Sequence, residues 1–300
     1  MHPRPARPSR WRRAFADEAR AERPDLATLC LLLCTEADPA LDEAGMAVAR
    51  RALDRLAGRL PPSPGGPRAW ALALAELLGG RYGFAGRPGD YGRLESSLLH
   101  EVLRRRRGLP ILLSVVWIEV ARRAGAPVHG VALPGHFVVG FGSADAPEGG
   151  GACGPYDACG GPGRCEERVL ADPFGGGRVL SCTDARLLVA GATGAPLDPV
   201  MLRPVDARDI VLRVLNNIRA WAATRPERSD VALWAVELAL LLPAPADRLR
   251  YDRARLLVDR GDFGTGAAEL DTYADAVSAT DEATADRVRR QARAARARLN

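Results

Sequence analysis

Apolar residues recur every three or four positions along most of this chain, which is the spacing of an amphipathic helix. Leu53, Leu56 and Leu60 are one example of this spacing. Clusters of proline and glycine near 61–67 and 85–92 mark the ends of such stretches. The pattern predicts helices over residues 13–22, 25–34, 41–60, 68–79, 95–106, 111–123, 206–223, 230–242, 246–260, 265–278 and 281–299.

The predicted helix at 111–123 differs from the others because its apolar residues lie almost all round it. A helix that is apolar on every side has to be buried. Pro110 suits the first position of this helix, and Gly125 stands just past its end. We therefore predict one central, buried helix.

After that helix the apolar pattern changes to short, β-branched runs, which predict strands. Pro134 and Gly135 form the predicted turn between the first two runs. The strands are expected at 128–133, 136–141, 167–172 and 178–180. A buried helix followed by antiparallel strands predicts an α+β fold.

The same boundaries predict how the chain divides into regions. The helices after residue 205 have alanines at close-packing positions and Pro or Gly-Asp at their turns, so they resemble tetratricopeptide hairpins. Such hairpins either bind partners on a concave face or only pack on the core. We expect a basic tail at 1–12, a helical N-terminal layer at 13–81, a core at 82–205 with a Gly- and Cys-rich insertion at 142–165, and a helical region at 206–300.

Charge and hydropathy restrict the classes of partner. The formal net charge is +5, and the arginines crowd at 4–13 and 287–298. A polybasic end can bind nucleic acid, but these ends lack a reading helix or an aromatic platform, so we expect no nucleic-acid partner. No apolar run near the N-terminus has the length of a signal peptide or a membrane span, so we expect a cytoplasmic protein without membrane association.

The six cysteines do not form a recognisable metal motif. Cys153, Cys159 and Cys165 are six residues apart, whereas zinc sites pair cysteines two to four residues apart and need a fourth ligand. Cys30 and Cys34 are expected to be buried on one side of a helix. We therefore predict no metal and no cofactor.

Three elements could together carry acyl-transfer chemistry. Such a site needs a nucleophile at a helix N-terminus, a histidine base, and a carboxylate that fixes the histidine tautomer. The buried helix, His136 at the start of a predicted strand, and Asp172 at the end of a later strand occur in that order.

Four segments carry a more specific resemblance: residues 99–114 (LHEVLRRRRGLPILLS), 121–125 (ARRAG), 133–137 (LPGHF) and 171–174 (ADPF). In sequence and spacing they resemble the SirB-type transglutaminase-like family of bacterial proteins. The resemblance implies a papain/transglutaminase-like core, a helical N-terminal layer and tetratricopeptide-like C-terminal helices.

Within this resemblance, His136 matches the catalytic base and Asp172 the orienting acid of active enzymes. The nucleophilic cysteine would fall at or near Pro110, which has neither a thiol nor an amide hydrogen. Ser114, about one turn further on, is a weak substitute. Cys159 or Cys165 would reach His136 only if a Gly-rich loop folded back over the site.

Two functional hypotheses follow. The first is a non-catalytic or cryptic scaffold that binds a peptide or protein partner in regulation, with His136 and Asp172 as a vestigial dyad. The alternative is a cysteine- or serine-dependent peptidase or acyltransferase that uses both residues. His136 could also be an ordinary hydrogen-bonded core histidine.

Overall fold

A computed structural model describes residues 9–142 and 168–299, which form two compact units. One unit is residues 25–214, and the other consists of the described parts of 1–24 and 215–300. In chain order the helices are α1 (Arg10–Arg20), α2 (Leu26–Ala37), α3 (Glu43–Ala57), α4 (Pro67–Leu74), α5 (Leu99–Arg105), α6 (Pro110–Arg123), α7 (Cys182–Thr193), α8 (Ala207–Ala223), α9 (Ser229–Ala239), α10 (Arg248–Asp259), α11 (Phe263–Val277) and α12 (Glu282–Ala297). The strands are β1 (Val128–Val131), β2 (Val138–Gly142), β3 (Arg168–Asp172), β4 (Arg178–Leu180) and β5 (Pro204–Val205).

The first helices of the 25–214 unit begin at side-chain caps. Asp25 accepts a hydrogen bond from the Thr28 backbone N–H at 2.7 Å, and Asp42 does the same for Gly45 at 2.8 Å. These caps satisfy backbone donors that the first turn of a helix leaves unpaired. Helix α4 continues as a π-helix over Ala75–Arg81, which lies against the loop after β3.

Helix α6 lies at the centre of this unit. It is buried without interruption from Pro110 to Ala121, and Trp117 is fully enclosed. The bounds Pro110–Arg123 confirm the predicted buried helix and its proline at the first position.

The strands form one antiparallel sheet in the order β4-β3-β2-β1-β5. Its register pairs His129 with Gly140 and Phe141 with Val169. Apolar residues from the sheet and α7, with Leu133 from the segment after β1 and Leu202 from the segment before β5, form one core cluster: Val131, Leu133, Val138, Leu170, Leu180, Ala185, Val189 and Leu202. The α+β fold class predicted from the sequence is confirmed.

In the other unit, α9 to α12 pack on one another in succession, as helical hairpins do. Alanines dominate the core that α10, α11 and α12 share, and small side chains let helices approach closely. The buried members of this core are Tyr251, Ala254, Ala267, Leu270, Ala274, Ala285, Val288, Ala292 and Ala295.

Three features of the local structure differ from the predictions. Helix α1 already begins at Arg10, because the Ser9 hydroxyl accepts a hydrogen bond from the Arg12 backbone N–H, so 10–12 are not a tail. His136 lies before β2 rather than in it, since its N–H bonds to the Leu133 carbonyl in a turn. Helix α7 was not predicted, although Ser181 and Asp184 form a capping box at its start.

Most of the predicted insertion, including Cys153, Cys159 and Cys165, lies outside the described residues. Among the residues that are described, no helix is long and apolar enough to cross a bilayer.

Candidate functional site

The structure brings His136 and Asp172 together. The His136 Nε2 atom lies 2.9 Å from Asp172 Oδ1, and both side chains are largely shielded from solvent. An ionised carboxylate only accepts hydrogen bonds, so Nε2 of a neutral imidazole carries the proton and Nδ1 presents a lone pair. The hydrogen bond to Asp172 therefore fixes the tautomer of the neutral His136 imidazole.

Asp172 ends strand β3 and is held by the loop that follows it. The Phe174 backbone N–H donates to Asp172 Oδ1 at 3.0 Å, and the Gly177 N–H donates to the Asp172 carbonyl at 2.8 Å. Gly176 and Gly177 have φ values of 76° and 92°, which side chains rarely adopt. These two glycines thus allow a tight turn between Asp172 and β4.

Two glycines outside this loop allow it to pack closely. The Gly86 N–H donates to the Phe174 carbonyl at 2.9 Å, and a β-carbon on Gly86 would lie 1.9 Å from the Phe174 ring. A β-carbon on Gly79, in the π-helix, would lie 1.9 Å from the Gly176 carbonyl oxygen. Isolated π-helical turns occur often at functional sites, and this one leaves room for the loop that follows Asp172.

Arg213 of α8 holds the turn that carries His136. Its Nη2 atom donates to the carbonyl oxygens of Leu133 and His136, each at 2.8 Å. The guanidinium also lies over the Phe137 ring, with Cζ 5.5 Å from the ring centroid. Partial burial lowers the pKa of Arg213. Sequence reasoning missed this residue; the only signal was a single arginine among buried Ile210, Val211 and Val214.

Two aromatic rings, those of Phe174 and Tyr91, follow one another from His136. The Phe174 ring centroid is 6.2 Å from that of His136, edge to face, and 6.0 Å from that of Tyr91. Tyr91 is 52% exposed, and partial burial and the charge of Asp172 raise its pKa while Arg213 opposes the shift. The loop before Tyr91 is held by Asp90, whose Oδ2 lies 3.3 Å from Arg107 Nη2.

The first turns of α6 lie next to the histidine turn. The Ser114 hydroxyl donates to the carbonyl of Phe137, the residue after His136, at 3.3 Å. Ser114 has no solvent exposure. Pro110 is the first residue of α6 and is also buried.

The cysteines among the residues that the structure describes lie in helices α2 and α7. Cys30 and Cys34 are buried in α2, as predicted, and burial is the main cause that raises the Cys34 pKa to about 12. Cys182 is the first residue of α7. Within 9–142 and 168–299, no group of three or more His, Cys, Asp or Glu side chains could hold a metal ion.

Comparisons with known proteins agree with this architecture. Residues 47–216 match the family model of the transglutaminase-like superfamily, and residues 218–300 match that of the tetratricopeptide repeat. A UPF0162 protein of Xylella fastidiosa strain Temecula1 is 31% identical over 212 residues, which cover 68% of this chain and 68% of the relative.

More distant relatives align over shorter regions. A UPF0162 protein of Vibrio cholerae is 25% identical over 170 residues, covering 56% of this chain and 55% of that protein. The F-box only protein 21 of Mus musculus is 27% identical over 146 residues, covering 49% of this chain and 21% of that protein.

Proposed function

Because this chain belongs to the transglutaminase-like superfamily, we propose that it is a SirB-type member in which the transglutaminase-like domain binds a peptide or protein partner without catalysing a reaction. The vestigial pair His136 and Asp172 marks the binding cleft. The partner is a polypeptide in a regulatory assembly, since tetratricopeptide repeats accompany the domain.

One observation carries the non-catalytic proposal. The family resemblance places the nucleophilic cysteine at or near Pro110, and Pro110 is the first residue of buried helix α6. Proline has no thiol, hydroxyl or amide hydrogen. A thiol site draws its reactivity from a thiolate at a helix N-terminus and its oxyanion donors from free amides there. Pro110 supplies neither.

Ser114 does not replace the missing nucleophile. A catalytic hydroxyl has to contact its base and be reachable by a substrate. The Ser114 hydroxyl is instead fully buried and bonded to the Phe137 carbonyl. It fastens α6 to the turn that carries His136.

The cleft retains groups suited to binding a peptide. The Nδ1 lone pair of His136 can accept a backbone N–H, because Nε2 is engaged by Asp172. Phe174 and the half-exposed Tyr91 offer flat apolar surface beside it. Peptide sites commonly combine a few fixed polar groups with aromatic walls.

The alternative is a cysteine- or serine-dependent peptidase or acyltransferase. The His136–Asp172 hydrogen bond favours it, because this geometry would orient a catalytic base. It requires a nucleophile from another part of the chain, such as Cys159 or Cys165.

An electrophilic thiol probe distinguishes the two. The purified protein would be treated with iodoacetamide near neutral pH, and the labelled cysteines mapped by mass spectrometry with Cys153→Ser, Cys159→Ser and Cys165→Ser variants. We expect slow labelling at every cysteine, with no dependence on His136. Fast labelling of one cysteine that is lost in His136→Ala would contradict the proposal. A Pro110→Cys variant tests the assigned nucleophile position.

A further inference from the structure

A groove of about 370 Å³ lies within the unit formed by 9–24 and 215–299. Its walls come from the segment around α9, from α10 and α11, and from helix α1 at the other end of the sequence. Cavities of this size accommodate one or a few side chains of a ligand.

Each wall is one face of a helix or of the turn that continues it. Glu237, Leu240 and Leu241 line the groove from α9 and the residues just after it, at positions i, i+3 and i+4. Side chains at this spacing lie on the same side of a helix. From α11 the lining residues Glu269, Thr272 and Tyr273 repeat the spacing. The groove is therefore a continuous surface of neighbouring helix faces.

A chain of ion pairs fixes these walls to one another. Arg253 of α10 bonds to Glu269 on one side and, at 3.1 Å, to Glu237 on the other. Glu237 also accepts a hydrogen bond from Arg12 of α1 at 2.6 Å. These two arginines and two glutamates cancel in formal charge. These ion pairs thus connect the walls of the groove and add no net charge of their own.

Arg250 is an arginine of the groove that takes no part in these ion pairs. It lies one turn before Arg253 on the same face of α10, is exposed, and lines the groove. Within the described ranges it forms neither an ion pair nor a hydrogen bond with another side chain. The groove therefore carries one uncompensated positive charge beside the apolar surface of Leu240, Leu241 and Tyr273.

We propose that this groove binds a partner polypeptide segment in which an acidic side chain alternates with large apolar ones, with the acid on Arg250. The inference rests on the proposed function only in taking a polypeptide as the ligand. It does not depend on the His136 cleft. Helix α1 completes the groove through Arg12, so the N-terminal helix and the repeats form one binding surface.

Fluorescence anisotropy with synthetic peptides tests this assignment. The probe is a fluorescein-labelled, C-terminally amidated (Asp-Leu)3 peptide, and the matched probes replace aspartate by asparagine or lysine. We expect saturable binding of the aspartate peptide and much weaker binding of the other two. Arg250→Glu should raise the Kd about tenfold or more, because attraction becomes repulsion. Thr272→Trp should also weaken binding, because it fills the groove without changing its charge.

Two controls make the test specific. Arg255→Glu changes the same charge on the same helix outside the groove and should leave the Kd unchanged. His136→Ala should also leave it unchanged. The proposal would be overturned if Arg250→Glu and Arg255→Glu weakened binding of the aspartate peptide equally. It would also be overturned if the asparagine peptide bound as tightly as the aspartate peptide, or if no peptide showed saturable binding. Loss in His136→Ala would place the peptide in the cleft and would likewise overturn it, whatever the outcome of the thiol experiment.

Discussion

The ring of Phe174 occupies the space in which any other residue at position 86 would carry a β-carbon, 1.9 Å from that carbon's ideal position. The backbone N–H of Gly86 also bonds to the Phe174 carbonyl. Phe174 in turn donates its own N–H to Asp172. The position of the aspartate thus depends on a glycine more than eighty residues earlier in the chain.

Gly86→Ala should therefore destabilise the 25–214 unit. The added methyl group has to displace the Phe174 ring, and overpacking of this kind costs about 1–3 kcal/mol. Urea unfolding measures the loss. Gly89→Ala is the matched control, because a β-carbon there meets nothing within 4 Å, and it should change stability by less than about 0.5 kcal/mol. Equal stability of the two variants would contradict the packing described for Phe174.

Arg213→Ala should release the turn that carries His136. The change removes the charged donor from the carbonyls of Leu133 and His136, and hydrogen bonds from charged groups contribute about 1.5–3 kcal/mol. Arg178→Ala removes an exposed ion pair with Asp184 and should cost less than about 1 kcal/mol.

Nitrogen NMR of the imidazole separates positioning from simple stability. In the wild type we expect a single His136 tautomer with the proton on Nε2, and in Arg213→Ala a mixture of tautomers. An unchanged imidazole spectrum would show that Arg213 does not position His136.

His129 should make the protein less stable in acid. Burial, with the nearby charge of Arg168, lowers its pKa from 6.5 to about 4. Below pH 6.5 the unfolded histidine takes up a proton that the folded one takes up only near pH 4. Stability is therefore complete above pH 6.5 and falls as the pH decreases to about 4, by about 3 kcal/mol. The difference in unfolding free energy between wild type and His129→Gln should change by this amount across that interval, and a constant difference would contradict the shift.

Much of the fold was predictable because its signals are local. The bounds of α6 follow from an all-round apolar pattern with Pro110 before it and Gly125 after it. The helices after residue 205 follow from repeated apolar spacing and short breaks. Placing Asp172 beside His136 needed only the order of the elements and the matched motifs.

The contacts that position the site were not predictable in the same way. Arg213 acts on backbone carbonyls that lie 77 and 80 residues before it, and backbone acceptors leave no pattern in side-chain chemistry. In the π-helix at Ala75–Arg81, Gly79 faces the Gly176 backbone, and this close approach is a tertiary relationship. Helix α7 has a weak apolar pattern in which Leu187 is exposed. The capping box at its start is therefore the sequence signal that indicates this helix.

Under the proposed function, His136 serves binding and stability rather than turnover. Peptide amide hydrolysis and amine transfer would be measured for the wild type and for His136→Ala, together with the melting temperature of each. We predict no turnover that depends on His136, and a loss of about 1–3 kcal/mol in stability because Asp172 loses one of its hydrogen-bond partners. Robust turnover in the wild type that disappears in His136→Ala and in one of Ser114→Ala, Cys159→Ser or Cys165→Ser, with melting unchanged, would contradict the claim and establish an enzyme.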